Sequence, residues 1–170
     1  MSETAEIIST FSPLDYSKAE KIIACLKKKN LTLATAESLS GGFLGQALTA
    51  VPGASHVYQG GFITYTNQAK MRLLNIPSAL LEKYSAVSTE CAQAMAENAR
   101  HILNVDYCLA TTGLAGPDGD GINPVGTVFI ALSTAEKTYV RQLLFTKHSR
   151  QEVREMTVRL SLEWLLNSLI

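Results

Sequence analysis

Residues 31–42, LTLATAESLSGG, decide how the rest of the chain is read. The first half alternates apolar and polar side chains with the period of a short strand. The second half sets Glu37, Ser38, Ser40, Gly41 and Gly42 where that strand has to turn into a helix. Backbone N–H groups without partners converge at such a turn, which suits it to holding an anion. The helix is expected to start near Ser40, to carry Phe43, Leu44, Ala47 and Leu48 inward, and to stop at Pro52-Gly53.

Working outward, Ala19, Ile22, Ile23 and Leu26 recur at helical spacing from Asp15 or Ser17 until Asn30. Residues 1–14 read as a lead-in, and residues 15–170 as one domain. Downstream, residues 56–65 (HVYQGGFITY) read as a strand with a bulge or close backbone contact at Gly60-Gly61. Asn67 is expected to cap a short helix and Pro77 to open another. Ser88 begins a longer helix whose buried stripe is Cys91, Met95, Ala99 and Ile102. Residues 107–112 (YCLATT) form a buried strand that runs into the loop GLAGPDGDGINP. Residues 125–133 and 138–145 make a hairpin around Ala135-Glu136-Lys137. A long helix from about Arg150 closes the chain, with Val153, Met156, Leu160 and Trp164 on one face. Helices alternating with strands, then a late hairpin, predict an α/β fold with a mixed sheet covered on both faces. Ligands in such folds bind beyond the carboxyl ends of the strands.

Composition narrows the classes. Of 170 residues, 46% are apolar and 18% charged, and fifteen basic residues balance fifteen acidic ones. That is a globular composition without the basic excess expected of a nucleic-acid or membrane-surface binder. Cys25, Cys91 and Cys108 are widely separated, with no metal-ligand or redox spacing, and read as free thiols in a reducing cytosol. No segment has the length of a membrane span, and the first fifteen residues lack the pattern of a secretory signal. A cytoplasmic location is expected.

Several residues could carry chemistry. Ser38 is either a helix cap or a nucleophile, and a nucleophile needs a base within reach. His56, His101 and His148 are not placed by any motif, which leaves Lys70, one turn into the helix after TYT. A lysine can act as a base when partial burial and neighbouring positive charge lower its pKa. Tyr65 could pass a proton or simply pack. The glycine-rich loop after Thr112 allows close approach of backbone to a ligand, yet it matches neither a Walker loop nor a dinucleotide fingerprint. Arg150 and Arg154, four apart, could bind a phosphate or carboxylate, or form a surface pair with Glu152 and Glu155.

TAESLSGG, GGFITYTNQAK, AVS and TTGLAGPDG followed by PVGTVFIAL, in this order, resemble the C-terminal domain of the CinA (competence/damage-inducible) proteins. The resemblance covers nearly all of the chain from about Ser17. It implies a three-layer α/β/α sandwich and, as in stand-alone members, hydrolysis of the carboxamide of nicotinamide mononucleotide to nicotinate mononucleotide and ammonia. No metal or organic cofactor is implied. Family serine-lysine chemistry maps onto Ser38 as nucleophile and Lys70 as base, with Tyr65 beside them. Ser40 is the rival nucleophile; Ser38 is favoured because threonine is usual at the second position in the family. Thr112 lines the site by the same resemblance, and an arginine at the start of the last helix, Arg150 or Arg154, meets the phosphate. Glu37, Ser40, Gly41, Gly42 and Gly113 complete the expected substrate-binding set. The N–H groups around Ser40 to Gly42 are the expected oxyanion donors, and Glu37 orients Lys70 or a backbone donor or is purely structural.

Two departures stand out. Leu39-Ser40 replaces a more common cysteine-threonine, and Lys147-His148-Ser149-Arg150 replaces a glycine-aspartate-arginine turn. The second leaves two other readings open, a catalytically silent nucleotide- or partner-binding module and a serine-lysine hydrolase of another small amide. A homodimer is expected from the resemblance and from the apolar breadth of the last helix at Val158, Leu162, Leu165, Leu166 and Leu169.

Overall fold

The computed structural model describes residues 16–170; the lead-in expected over residues 1–14 lies outside them. The described chain runs α1 (Ser17–Lys29), β1 (Leu33–Glu37), α2 (Phe43–Thr49), a short 3-10 turn (Ala54–His56), β2 (Tyr58–Ile63), α3 (Asn67–Leu74), α4 (Ser78–Tyr84), α5 (Thr89–Leu103), β3 (Tyr107–Gly113), β4 (Thr127–Ser133), β5 (Thr138–Leu144) and α6 (Arg150–Leu169). The strands form one mixed sheet in the order β2-β1-β3-β4-β5. β1 is parallel to both β2 and β3, whereas β4 and β5 are antiparallel.

Side chains alternate across the sheet and so feed two cores. Leu33, Leu109, Val128, Ile130 and Leu132 face α1, α2 and α6. Ala34, Ala36, Cys108, Ala110, Phe129 and Ala131 face α5 and the segment before it. The residues of α5 that meet them are Cys91, Ala92, Met95, Ala96 and Ala99, all fully buried. Small side chains on both surfaces let this helix lie close against the sheet. The result is the three-layer α/β/α arrangement in a single domain.

Connectivity places the functional end. The chain leaves β1 over one face and leaves β2 over the other. The carboxyl ends of β1, β2 and β3 therefore open a crevice between diverging connections, the usual ligand position in parallel α/β sheets. Ser38, Thr64-Tyr65 and Thr112-Gly113 follow or end those three strands.

Some local expectations are corrected. The helix after β1 starts at Phe43, because Gly41 and Gly42 turn the chain through φ of +62° and +96° first. Thr66, not Asn67, caps α3 by accepting from Ala69 N at 3.1 Å. Ile102 is 44% exposed and falls off the buried stripe of α5. The expected irregularity in the pairing with β1 falls one residue earlier, at Gln59 between Tyr58 and Gly60, while Gly60 and Gly61 pair in register. A Cβ on Gly61 would lie 2.2 Å from Thr35 Oγ1, so the close contact is real.

The apolar breadth of α6 has an internal cause. Of the five residues expected to carry it, Val158, Leu162, Leu165 and Leu169 are at most 2% exposed within this chain and only Leu166 is half-buried, so four of them supply no face for a second copy. Met156 and Leu160 are only half-buried, while Thr157 and Ser161 are fully buried and bond back to Val153 O and Thr157 O.

Ser88 caps α5 as expected, accepting from Cys91 N at 3.1 Å while its hydroxyl donates to Ser85 O at 2.9 Å. Ser88→Ala is expected to lower unfolding free energy by about 1 kcal/mol, the usual worth of a cap, read as a lower denaturant midpoint at unchanged slope.

Candidate active site

β1 ends on Glu37 and the next residue, Ser38, is held by its main chain: Ser38 N donates to Thr111 O at 2.9 Å, extending the pairing with β3. Its hydroxyl meets Lys70 Nζ at 2.9 Å. The same amine donates to Thr64 O at 2.7 Å. Lys70 is 1% exposed and Ser38 8%. Lys70 gets there because Thr66 caps α3 at the end of β2, which sets the lysine one turn in, with its amine back over the strand end.

Burial lowers the Lys70 pKa from 10.5 by penalising the ammonium. Cys91 opposes this only in its thiolate form. Burial pushes that thiol up to about 11, so it is neutral at physiological pH and leaves the lysine without a counter-charge there. Of the two causes expected together, burial acts and neighbouring positive charge does not contribute.

Around this pair lies a cavity of about 620 Å³, within the range of small-molecule sites. Ser38, Leu39, Tyr65, Lys70, Thr112, Gly113 and Arg150 all line it. The Thr112 hydroxyl donates to Ala86 O at 2.7 Å, tying the end of β3 to the segment between α4 and α5. Arg150 spans the mouth, donating to Tyr65 Oη at 2.6 Å and to Gly116 O. A second cavity of about 610 Å³, between Asp106, Tyr139 and Trp164, opens on the opposite end of the sheet and has no comparable serine–lysine pair.

Five expected substrate-binding residues do not line the cavity: Glu37, Ser40, Gly41, Gly42 and Arg154. Glu37 is 1% exposed, and its carboxylate accepts from Ser40 Oγ (2.7 Å), Gly42 N (3.1 Å), Leu44 N (3.0 Å) and Gly45 N (2.8 Å). It has no contact with Lys70 amine. Ser40 is fully buried and its Oγ also meets Thr111 Oγ1 at 2.7 Å. Arg154 donates to Ser40 O at 3.0 Å and to Gln151 Oε1 at 3.1 Å. Neither arginine pairs with Glu152 or Glu155, which instead bond to Ser149 and Gln151.

Two of the N–H groups expected as oxyanion donors are already engaged within the chain. Gly41 N donates to Ser38 O, and Gly42 N to Glu37. The N–H groups of the turn without an acceptor among the described residues are those of Leu39 and Ser40.

Sequence reasoning missed the Thr64 carbonyl, Thr111 and the wall from Leu81 to Val87. Backbone acceptors and segments of ordinary composition leave no motif to find. Among the described residues no three His, Cys, Asp or Glu side chains cluster as metal ligands, and no helix is long and apolar enough to cross a membrane.

Fold and site together define a single-domain α/β protein with a buried serine–lysine pair at the carboxyl ends of its parallel strands. The chain belongs to the CinA family, whose C-terminal-domain model matches residues 15–169. It is 39% identical to a CinA-like protein of Geobacter sulfurreducens over 99% of this chain and 44% of that one. It is 41% identical to a CinA-like protein of Shewanella denitrificans over 91% of this chain and 37% of that one. The chain thus spans less than half the length of these curated relatives. Among solved structures, a competence or damage-inducible protein from Enterobacter asburiae superposes with a TM-score of 0.88 at 34% identity, covering 94% of this chain and all of that one. One from Agrobacterium tumefaciens gives 0.87 at 35%, covering 92% and 98%.

Proposed function

We propose that this chain hydrolyses the carboxamide of nicotinamide mononucleotide, releasing ammonia and nicotinate mononucleotide. The observation that carries the reading is the 2.9 Å contact between Lys70 Nζ and Ser38 Oγ at the wall of a ligand-sized cavity. A neutral Lys70 keeps one N–H on Thr64 O, which turns its lone pair toward Ser38. The amine takes the serine proton as Oγ attacks the amide carbon. The resulting ammonium returns the proton to the amide nitrogen, the C–N bond breaks, and ammonia leaves. Water, deprotonated by the same amine, then cleaves the acyl-serine ester to the carboxylate.

A negative tetrahedral oxygen needs donors already in place. Leu39 and Ser40 N–H, unspent within the turn, suit that role. Arg150, at the mouth, is the cation best placed for the phosphate, which would replace Tyr65 and Gly116 as acceptors. A nucleotide-binding module without turnover, or a hydrolase of a different amide, would share the cavity but differ in product.

The test is ammonia release from nicotinamide mononucleotide by the purified protein beside Ser38→Ala. We expect steady release by the parent and a loss of at least about 10³-fold in the variant, the scale for removing a nucleophile. No release above the variant would reject the reading; binding without turnover would select the silent module, and turnover confined to other amides in a panel the third reading.

A further inference from the structure

The most heavily engaged side chain near the cavity does not face it. Glu37 is a carboxylate buried to 1% exposure, and among the described residues no lysine or arginine pairs with it. Its oxygens instead accept from four donors, the Ser40 hydroxyl and the amides of Gly42, Leu44 and Gly45. Burying a carboxylate is costly unless it is hydrogen-bonded, and here both oxygens are. A residue needed only for core packing would not require such a set of donors.

All four donors belong to the turn behind Ser38 and to the start of α2. Ser40 is the pivot. Its hydroxyl donates to Glu37 and accepts from Thr111 Oγ1, and its carbonyl accepts from Arg154. Ser40 is thereby clamped from β1, β3 and α6 together. Ser38 sits between Glu37 and this clamp, with its own N–H on Thr111 O. Fixing both neighbours fixes the backbone of Ser38, and with it the direction of Oγ toward Lys70. It also leaves the Leu39 and Ser40 N–H groups as the unspent donors of the turn.

We infer that Glu37 is a positioning residue: acting through Ser40 and the first turn of α2, it holds the 38–42 turn so that Ser38 Oγ meets the Lys70 amine. The inference rests on the serine–lysine reading above, though not on the identity of the substrate. A misplacement of about 1 Å at a nucleophile costs on the order of 10²-fold in rate, and relaxing the turn acts on that scale.

The test uses a small alkyl fluorophosphonate, which reacts with an activated serine whatever the natural substrate, with the site of modification read by peptide mass. The parent protein is expected to be labelled at Ser38. Glu37→Gln and Ser40→Ala are expected to be labelled about 10- to 100-fold more slowly, and Ser40→Thr, which keeps the hydroxyl, near the parental rate. With nicotinamide mononucleotide the two slow variants should lose kcat at nearly unchanged KM, because neither side chain lines the cavity. Labelling of both variants at the parental rate would overturn the inference. So would loss of fold in both, which would assign Glu37 to stability alone, or a rise in KM without a fall in kcat. If Glu37→Gln alone fails to fold, Ser40→Ala and Ser40→Thr decide the matter. A parent labelled at Ser38 but inactive on the nucleotide would reject the substrate while leaving the positioning role intact; a parent not labelled at Ser38 would reject both.

Discussion

Lys70→Met is expected to cut turnover by at least about 10²-fold and to leave a protein more stable than its parent. The lysine is almost fully buried, with a serine and a carbonyl as its polar partners and no carboxylate paired with it among the described residues. Its burial lowers the pKa from 10.5. Between that lowered value and 10.5 the unfolded chain holds a proton on Lys70 that the native chain does not, so stability rises with pH across this window. Below the lowered value both states are protonated, and the native state carries the full cost of a buried ammonium. Methionine fills similar volume without charge. Relief of the ammonium outweighs the two lost hydrogen bonds by about 1 kcal/mol at neutral pH, or roughly 2–4 °C in Tm for a chain of this size. The rise of stability with pH through the window should flatten in the variant.

Activity moves the opposite way. The proposed base is neutral Lys70, so kcat/KM should climb with pH on an acidic limb whose midpoint lies below 10.5. Removing the amine should cost about 10²- to 10⁴-fold, the range for a general base. Thermal melts at several pH values, beside ammonia release, check both halves. A variant that melts below the parent at neutral pH, or keeps most of its rate, would contradict the account.

That trade of stability for reactivity explains which parts of the site were legible in the sequence. Strands and helices were, because alternation and helical spacing report burial directly: Ala19, Ile22, Ile23 and Leu26 lie on one buried face as their spacing predicts. Ser38 was legible as a candidate because a serine at a strand-to-helix turn has few roles. Lys70 was not readable as buried, since lysine at that spacing is ordinarily exposed; only tertiary packing against β2 and α5 turns it inward. It stood out only as the base left once the histidines had no motif, and the family resemblance then gave it a role. The side chains of Glu37 and Ser40 do not line the cavity, because adjacency to Ser38 in sequence says nothing about side: a strand alternates, so Glu37 points behind the turn whose next residue faces the cavity, and there it accepts from backbone donors. Most of the apolar breadth of α6 is used inside the chain, against α1, α2 and the sheet, with Met156, Leu160 and Leu166 left half-buried. A helix packed on several sides has no single stripe for periodicity to find.

Gly126→Ala is expected to be the most damaging single-methyl addition in the glycine-rich segment. Gly126 sits at φ +91°, and a Cβ there would lie 2.1 Å from Phe145 O and 2.8 Å from Phe145 C. Those are main-chain atoms and cannot rotate away. Phe145 N donates to Gly126 O at 2.9 Å, and Gly126 N donates to Leu114 O at 2.7 Å. One residue thus closes the base of the loop that lines the cavity and anchors the segment leading into α6, where Arg150 begins. The clash and the left-handed strain together should cost roughly 3 kcal/mol or more, lowering Tm by about 6–12 °C. Any folded fraction should bind substrate less well, since Leu114 and Arg150 would both move. Gly121→Ala is the matched control: its φ is +79°, but a Cβ there meets nothing within 4 Å. It should pay only the conformational strain of about 1 kcal/mol and keep its KM. Equal losses in the two variants would mean that backbone strain alone, and not the contact with Phe145, sets the requirement for glycine at 126.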